Sequence, residues 1–263
     1  MTILEKILYI LIINISAFYP LNKEVRAQLS ADFPNTLSSI SHERSKYFRK
    51  GILLIKNEFN VNLENLESYE GLTRIVIDEC DGVCISGILP TSLKEIRIEA
   101  CTNVEIKSPF ESLSSLELMD SSFKELSKLV LSSFLQLQNL KLHGCRNMIL
   151  EGSLPATLRS LELLNNSFAP FPLDVSACTH LRTLSISDEV NSITFGKNSF
   201  LESLQITGCQ NFCIIGHIPP SLKFLDLNQV HFSRPVYVDL SAIKNVFIED
   251  CLNFVAIGAE ARV

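Results

Sequence analysis

The stretch LESLQITGC, residues 201–209, shows the architecture of the chain, because the same arrangement of aliphatic residues recurs along most of it. Aliphatic residues occupy its first, fourth and sixth positions, which are Leu201, Leu204 and Ile206. The fourth and sixth positions alternate with polar ones, and this period of two is typical of a strand with one buried face. The stretch therefore predicts a short strand whose aliphatic side chains point into a core.

Nine segments of the chain share this pattern, and their first residues are 20 to 24 positions apart. They begin at Leu72, Leu93, Leu113, Leu137, Leu158, Leu181, Leu201, Leu222 and Ile243. A near-constant period of this size indicates a repeat architecture. Residues 50–58 form a degenerate tenth copy, with Leu53 and Ile55 in register. A coil this short cannot bury its own apolar face, so we expect the coils to stack and share one core.

The repeat resembles the leucine-rich repeat family, whose core reads L-x-x-L-x-L-x-x-N/C, over residues 50–263. The resemblance implies an α/β leucine-rich repeat solenoid, an arc or horseshoe with a parallel β-sheet on its concave face. Repeats of this length leave no room for a full helix on the return path, so we expect a mostly irregular convex side of turns, extended segments and short 3₁₀ pieces. We divide the chain into a repeat domain, residues 49–263, and a helical N-terminal head or cap, residues 1–48.

The ninth repeat position predicts a structural ladder of small polar side chains. The predicted ladder residues are Cys80, Cys101, Cys145, Asn166, Cys209 and Cys251. In leucine-rich repeats the residue at this position points inward and bonds backbone groups of the turn, and a thiol suits it as a small, mostly buried group. The alternative is a row of thiols for metal or redox chemistry. Only Cys80 and Cys101 fall on adjacent repeats, so we favour the structural interpretation.

Cys209, Cys213 and His217 are four residues apart, which suggests a metal site. Their positions in the repeat, however, give the three residues different structural roles. Cys209 is a ladder residue, Cys213 holds the thirteenth position, which is mostly apolar in other copies and predicts a core site, and His217 lies in a variable loop. The chain has no spaced zinc-type histidine pair, no nucleophile elbow and no phosphate-binding glycine loop. We therefore expect no metal ion, no cofactor and no catalytic activity.

A longer period of three coils is superimposed on the short one. Each block has a glycine, then Leu-Pro or Ile-Pro two residues later, and then Ser or Thr followed by Leu. We predict a positive φ or a close backbone approach at Gly87, Gly152 and Gly216. The prolines come just before the next strand, where a missing N–H costs little.

The fifth repeat positions predict a stripe of outward side chains on the concave face. In the middle of the chain the stripe holds Arg97, Glu117, Lys141 and Glu162, which either contact a partner or neutralise one another across neighbouring strands. Near the C-terminal end the face carries Phe224, Asp226 and Phe247. Outward aromatic residues on a rigid sheet are typical binding anchors. The alternative is that a further coil beyond the C-terminus would cover them.

These features predict a non-catalytic protein-protein interaction module that holds a protein partner on the concave face. A net charge of −6 argues against a nucleic-acid binder, which is usually basic. The stretch ILYILIINISAFYPLNKEVRAQLS, residues 7–30, predicts an apolar helix, then Pro-Leu, then a basic-acidic amphipathic helix. Helices in this order ahead of leucine-rich repeats resemble an F-box arrangement. That alternative makes the protein an F-box-like substrate receptor of a cullin-type ubiquitin ligase, with the ligase adaptor bound by residues 1–48. The usual opening Leu-Pro and closing Cys-Lys-x-Trp type segments of an F-box are absent.

The two ends of the chain leave further alternatives. The apolar run 7–13 is too short for a membrane span, and it forms either part of the cap or the core of a cleaved signal peptide. A signal peptide would indicate a secreted or effector-type binding protein, whereas eight cysteines spread over 263 residues favour a cytoplasmic one. The repeats stop without a recognisable polar cap. This predicts a marginal terminal coil, a fragmentary product, or self-association through the uncapped C-terminal coil.

Overall fold

The computed structural model describes residues 48–49, 51–64, 66–69, 71–107, 110–197 and 199–258. In these ranges the chain is a parallel β-solenoid in which each coil contributes one strand to a long sheet of 11 strands. The long sheet consists, in spatial order, of β1 (Phe48–Arg49), β2 (Ile52–Lys56), β4 (Arg74–Asp78), β6 (Glu95–Glu99), β8 (Ser115–Met119), β10 (Asn139–His143), β12 (Ser160–Leu164), β14 (Thr183–Ile186), β16 (Ser203–Thr207), β18 (Phe224–Asn228) and β20 (Asn245–Glu249). Each of these strands apart from β1 falls on a predicted repeat copy.

The opposite side of the solenoid, called the second face below, is also built from strands. They are β3 (Asn62–Glu64), β5 (Cys84–Ser86), β7 (Glu105–Ile106), β9 (Ser122–Val130), β11 (Arg146–Glu151), β13 (Phe171–Asp174), β15 (Val190–Thr194), β17 (Cys213–Ile215), β19 (His231–Asp239) and β21 (Leu252–Ile257). They form four separate sheets, β3-β5-β7, β9-β11, β13-β15-β17 and β19-β21. This replaces the mostly irregular side that we expected. A short repeat forces the return path to run extended, and extended segments on stacked coils pair with one another.

Helices are nearly absent from the described residues, which contain two single-turn 3₁₀ helices, Leu66–Ser68 and Leu131–Ser133. The α/β class is therefore not confirmed in this part of the chain, which is a β-solenoid. The predicted helical cap and F-box-like head span residues 1–48. Residues 1–47, which include the predicted signal peptide, lie outside the described residues. The first described strand, β1, pairs antiparallel with β2.

The core runs through the stack as columns of aliphatic side chains from equivalent positions. In the middle of the long sheet, Leu140 pairs in register with Leu116 on one side and with Leu161 on the other, and all three are buried. The degenerate tenth copy, residues 50–58, is confirmed, because Leu53 pairs with Ile75 and is also buried. Constant register follows from the constant motif, since a slip of one residue would turn each aliphatic side chain to solvent.

The three-coil period corresponds to turns that join one coil to the next. Gly152 and Gly216 have φ values of +88° and +93°, which confirms the predicted left-handed backbone. The Ser or Thr that follows the proline has a role that the motif alone did not reveal. The hydroxyl of Ser92 donates a hydrogen bond of 2.8 Å to the carbonyl of Leu72, one coil earlier, and Ser221 donates equally to Leu201. These hydroxyls connect consecutive coils at the start of the repeats that carry them.

A second recurrent motif is the triplet Cys-x-Asn, in which the cysteine occupies the ladder position. The asparagine of each triplet, such as Asn103, Asn147 and Asn211, has a φ between 53° and 59°. Asparagine tolerates this left-handed region better than other non-glycine residues. The triplet therefore turns the chain from the ladder position into the second face.

Candidate partner-binding site

The structure places all seven predicted partner-binding residues on the outward face of the long sheet. Arg97 pairs in register with Glu117, which pairs with Lys141 on the next strand, which in turn pairs with Glu162. Alternation within each five-residue strand buries the aliphatic positions and leaves the positions between them partly exposed. The predicted stripe therefore exists as a continuous row of side chains.

The charged middle of the stripe is internally paired. The Nη1 atom of Arg97 lies 3.7 Å from Oε2 of Glu117, and Nη2 of Arg97 lies 2.7 Å from Oε2 of Glu99 on the same strand. Further along, Nζ of Lys141 lies 3.1 Å from Oε2 of Glu162. Each of these side chains is about a third exposed. Partly solvated pairs of this kind contribute about 0.2 to 1 kcal/mol each, and they leave little net charge to attract a partner.

The C-terminal end of the stripe is different in character. Phe224 and Phe247 lie on adjacent strands with their ring centroids 5.8 Å apart and their planes tilted by 46°. Phe247 is 58% exposed, which is high for a large aromatic side chain. Asp226 pairs in register with Phe247 and is on the same strand face as Phe224. We call these three residues the C-terminal patch.

The carboxylate of the C-terminal patch has no cationic partner among the described residues. Oδ2 of Asp226 accepts a hydrogen bond of 3.2 Å from Nε2 of Gln205. The neighbouring carboxylate of Glu249 accepts one of 3.1 Å from Nδ2 of Asn228. Both acceptor groups are therefore held in place by neutral amides, and their negative charge is not compensated. The patch combines two aromatic rings with uncompensated negative charge.

The predicted ladder residues lie behind the long sheet, and their side chains bond backbone groups of neighbouring coils. The backbone N–H of Cys80 donates to Sγ of Cys101 at 3.4 Å, and the N–H of Cys145 donates to Oδ1 of Asn166 at 3.0 Å. The side chains in turn donate to carbonyls of the preceding coil, as Sγ of Cys209 does to Ser187 at 3.2 Å. Each ladder residue thereby satisfies backbone groups that the turn would otherwise leave unpaired.

Four of the five ladder thiols, those of Cys80, Cys145, Cys209 and Cys251, have raised pKa values. Burial raises the pKa of Cys145 to about 11 and that of Cys209 to about 12. The contact with the Cys101 thiol, together with burial, raises the pKa of Cys80. The thiolate is the nucleophile and the metal ligand, so a raised pKa disfavours both kinds of chemistry at these positions. Cys101 differs, because its hydrogen bond with Cys80 lowers its pKa. This physical state supports the packing role of the ladder.

One ladder position holds Glu189, which was not among the predicted ladder residues. Glu189 is only 3% exposed, and its carboxylate accepts hydrogen bonds of 2.8 Å from Nδ2 of Asn166 and 2.5 Å from Oγ of Ser187. Burial raises the pKa of Glu189, and the two hydrogen bonds offset part of this effect. The sequence did indicate that Glu189 is unusual, because the other copies have neutral residues at the ninth repeat position.

The metal-like spacing does not form a site. Cys209 is buried in the ladder, whereas His217 is exposed. The predicted core position of Cys213 is wrong, because this residue is only partly buried and the inward side chain of its strand belongs to Ile214. The register explains the error, since the thirteenth position faces outward on the short strand of the second face. Among the described residues, no group of three His, Cys, Asp or Glu side chains could hold a metal ion.

The chain matches no protein-family model, no curated protein and no solved structure at a significant level. The fold and the geometry of the C-terminal patch are therefore the basis for any functional inference. Within the described part of the chain, no helix combines the length and apolarity that crossing a membrane requires.

Proposed function

We propose that this solenoid is a non-catalytic binding module that holds a protein partner on the outward face of the long sheet, with the C-terminal patch as the main contact. The observation that carries the proposal is the exposed aromatic side chain of Phe247 beside the uncompensated carboxylate of Asp226. Aromatic side chains near the centre of an interface commonly contribute most of its binding energy. Complete burial of one such ring contributes about 1.5 to 3 kcal/mol.

The patch also indicates the chemistry of the contact. A lysine or arginine of the partner would compensate Asp226, and its cationic group would lie against a phenylalanine ring, a contact that contributes about 0.5 to 2 kcal/mol. The charged middle of the stripe is a poorer contact. A partner there would have to displace the ion pairs of Arg97 and Lys141 before forming its own.

The rigidity of the support favours binding at the patch. Phe224 and Phe247 project from strands that pair in register over five residues, and the Ser221 hydroxyl holds the preceding turn to its neighbouring coil. Side chains on such a support lose little conformational freedom on binding, so more of the contact energy appears as affinity.

The assignment to the leucine-rich repeat family is part of this proposal. It is supported by the L-x-x-L-x-L core of the repeats and by a ladder of Cys and Asn whose side chains bond the turn backbone. In that family the long sheet forms the concave, partner-holding face. The F-box-like alternative concerns residues 1–48, and binding of that segment to a cullin-ligase adaptor would test it separately.

Affinity capture from extracts of the native cell tests the proposal. The immobilised wild-type protein is compared with Phe247→Ser and with Tyr237→Ser, which removes a ring that is 66% exposed on the second face. We expect a discrete protein to be retained by the wild type and by Tyr237→Ser, and to be lost at least tenfold with Phe247→Ser. Equal retention by all three proteins, each with an unchanged melting temperature, would contradict the proposal.

A further inference from the structure

The second face is interrupted between β17 and β19. A single isolated bridge, Phe212 to Phe232, joins the two sheets that meet there. After this bridge, β19 bulges by three residues, because its pairing with β21 moves from His231 directly to Val236. The long sheet on the other side of the solenoid continues without a break.

The bulge opens a groove of about 350 Å³ on the surface. One wall consists of β17, with Ile215 exposing half of its surface to solvent. The other wall is the bulge itself, formed by Ser233, Arg234 and Pro235, followed by Val236. The groove lies between these two segments, and it is lined by both apolar and polar groups.

The β17 wall presents a free strand edge. The N–H of Phe212 donates to the carbonyl of His231, and Ser233 donates back to Phe212, so the backbone of Phe212 is directed towards β19. The N–H of Phe195 donates to the carbonyl of Ile215, which is therefore directed towards β15. Backbone direction alternates along a strand that is paired in parallel. The N–H and C=O of Ile214 consequently face the groove, where no strand of the described residues pairs with them. The carbonyl accepts one long contact of 3.9 Å from Sγ of the adjacent Cys213.

The bulge wall adds the positive charge of Arg234. At Pro235 it has no backbone N–H that could bond to β17. Arg234 is exposed, and its guanidinium forms no ion pair with a described residue. The proline has no backbone N–H, so the bulge does not close onto β17 through that residue. The groove therefore offers one backbone donor, one backbone acceptor, an apolar side chain and an uncompensated cation.

We infer that this groove binds an extended peptide segment that carries an acidic side chain. One residue of the segment pairs with the N–H and C=O of Ile214 as an added strand, a recurrent mode of peptide recognition. Its acidic side chain reaches Arg234, and a neighbouring apolar side chain packs on Ile215. A guanidinium suits a carboxylate because it can donate two parallel hydrogen bonds.

Selection of peptides tests the inference on the full chain. A phage-displayed library of random dodecapeptides is selected on the wild type, and the enriched peptides are synthesised for affinity measurement. We expect an acidic residue within an apolar consensus, with binding at least tenfold weaker to Arg234→Glu. The matched control is Arg146→Glu, which changes another exposed arginine of the second face without a described ion pair and should bind as the wild type does.

A backbone variant gives an independent readout. With Ile214→Ala as the control for the lost inward side chain, Ile214→Pro removes the N–H that faces the groove and leaves the hydrogen bond from the N–H of Phe195 to the carbonyl of Ile215 in place. We expect this variant to keep its strand signal in circular dichroism and to lose the selected peptides. Phe247→Ser should bind them normally, which separates this groove from the C-terminal patch. Failure to enrich any peptide, a consensus without acidic residues, or unchanged binding to Arg234→Glu would overturn the inference.

Discussion

The amide of Asn166 donates a hydrogen bond of 2.8 Å to the carboxylate of Glu189 on the next coil, inside the solenoid. The same amide donates to the carbonyl of Leu142 on the preceding coil, so one side chain links three consecutive repeats. No lysine or arginine ion pair with Glu189 is present among the described residues, and the carboxylate depends on these neutral donors. The ladder therefore contains one rung with a carboxyl group, Glu189.

The buried carboxyl group of Glu189 predicts that the stability of the folded protein depends on pH. Burial raises the pKa of Glu189 above its ordinary value of 4.5, so the folded state binds this proton more tightly than the unfolded chain. The contribution of this group is fully present below the unfolded pKa and is lost as the pH rises through the folded pKa. Glu189→Gln should raise the melting temperature at neutral pH and flatten its decline from about pH 4.5 upward. Thermal unfolding across this range measures both effects.

Truncation provides the control for that result. Glu189→Ala leaves the Asn166 amide and the Ser187 hydroxyl without their acceptor, so it should lower the free energy of unfolding by about 1 to 3 kcal/mol. If Glu189→Gln destabilises the protein as much as Glu189→Ala does, the carboxylate is required as a charge and the account of this rung is wrong.

The two cysteines of the metal-like spacing should respond in opposite ways to substitution. Cys209 is fully buried in the ladder, so Cys209→Lys would bury an unpaired charge and destabilise the fold by about 3 to 5 kcal/mol. Cys213 is partly exposed, and Cys213→Ile should change stability by about 0.5 kcal/mol or less. Urea unfolding of both variants measures the difference. An unchanged midpoint for Cys209→Lys would refute the ladder assignment.

The hydroxyl that connects coils predicts a local stability effect. Ser221→Ala removes the hydrogen bond to the carbonyl of Leu201 and should lower the free energy of unfolding by about 1 kcal/mol. Ser153 is exposed in the turn of an earlier block, and Ser153→Ala should be neutral. Calorimetry on the two variants gives the comparison. Equal melting temperatures would show that the hydroxyl makes no net contribution.

The paired charges of the long sheet should matter little to either stability or binding. A double-mutant cycle on Lys141→Ala and Glu162→Ala should give a coupling energy of about 0.2 to 1 kcal/mol, because both side chains are partly solvated. The double variant should retain the captured partner at wild-type level. Loss of the partner in this variant would move the contact site from the C-terminal patch to the middle of the stripe.

The sequence predicted the long sheet well because its motif is strict. The aliphatic positions around Leu204 and Ile206 recur at a fixed phase, and burial allows only one register. The second face was not predictable in the same way. Its strands range from two residues in β7 to nine in β9 and β19, and bulges change their register. These strands therefore leave no regular pattern of residues in the sequence.

The candidate site was predicted in position and only partly in character. Repeat phase placed Arg97 and Phe247 on one face, but it could not show that Arg97 is neutralised by its own strand neighbour Glu99. That outcome depends on side-chain geometry rather than on spacing. The exposed half of Ile215 and the free edge beside it depend on a bulge in a different coil, which lies outside any pattern local to β17.

The most direct test of the proposed function is site-specific photo-crosslinking in the native cell. A photoreactive phenylalanine analogue is placed at position 247 in the C-terminal patch or at position 117 in the charged middle of the stripe. We predict a discrete crosslinked protein from position 247 and little or none from position 117. Crosslinking from position 117 alone, or from neither position, would contradict partner binding at the C-terminal patch.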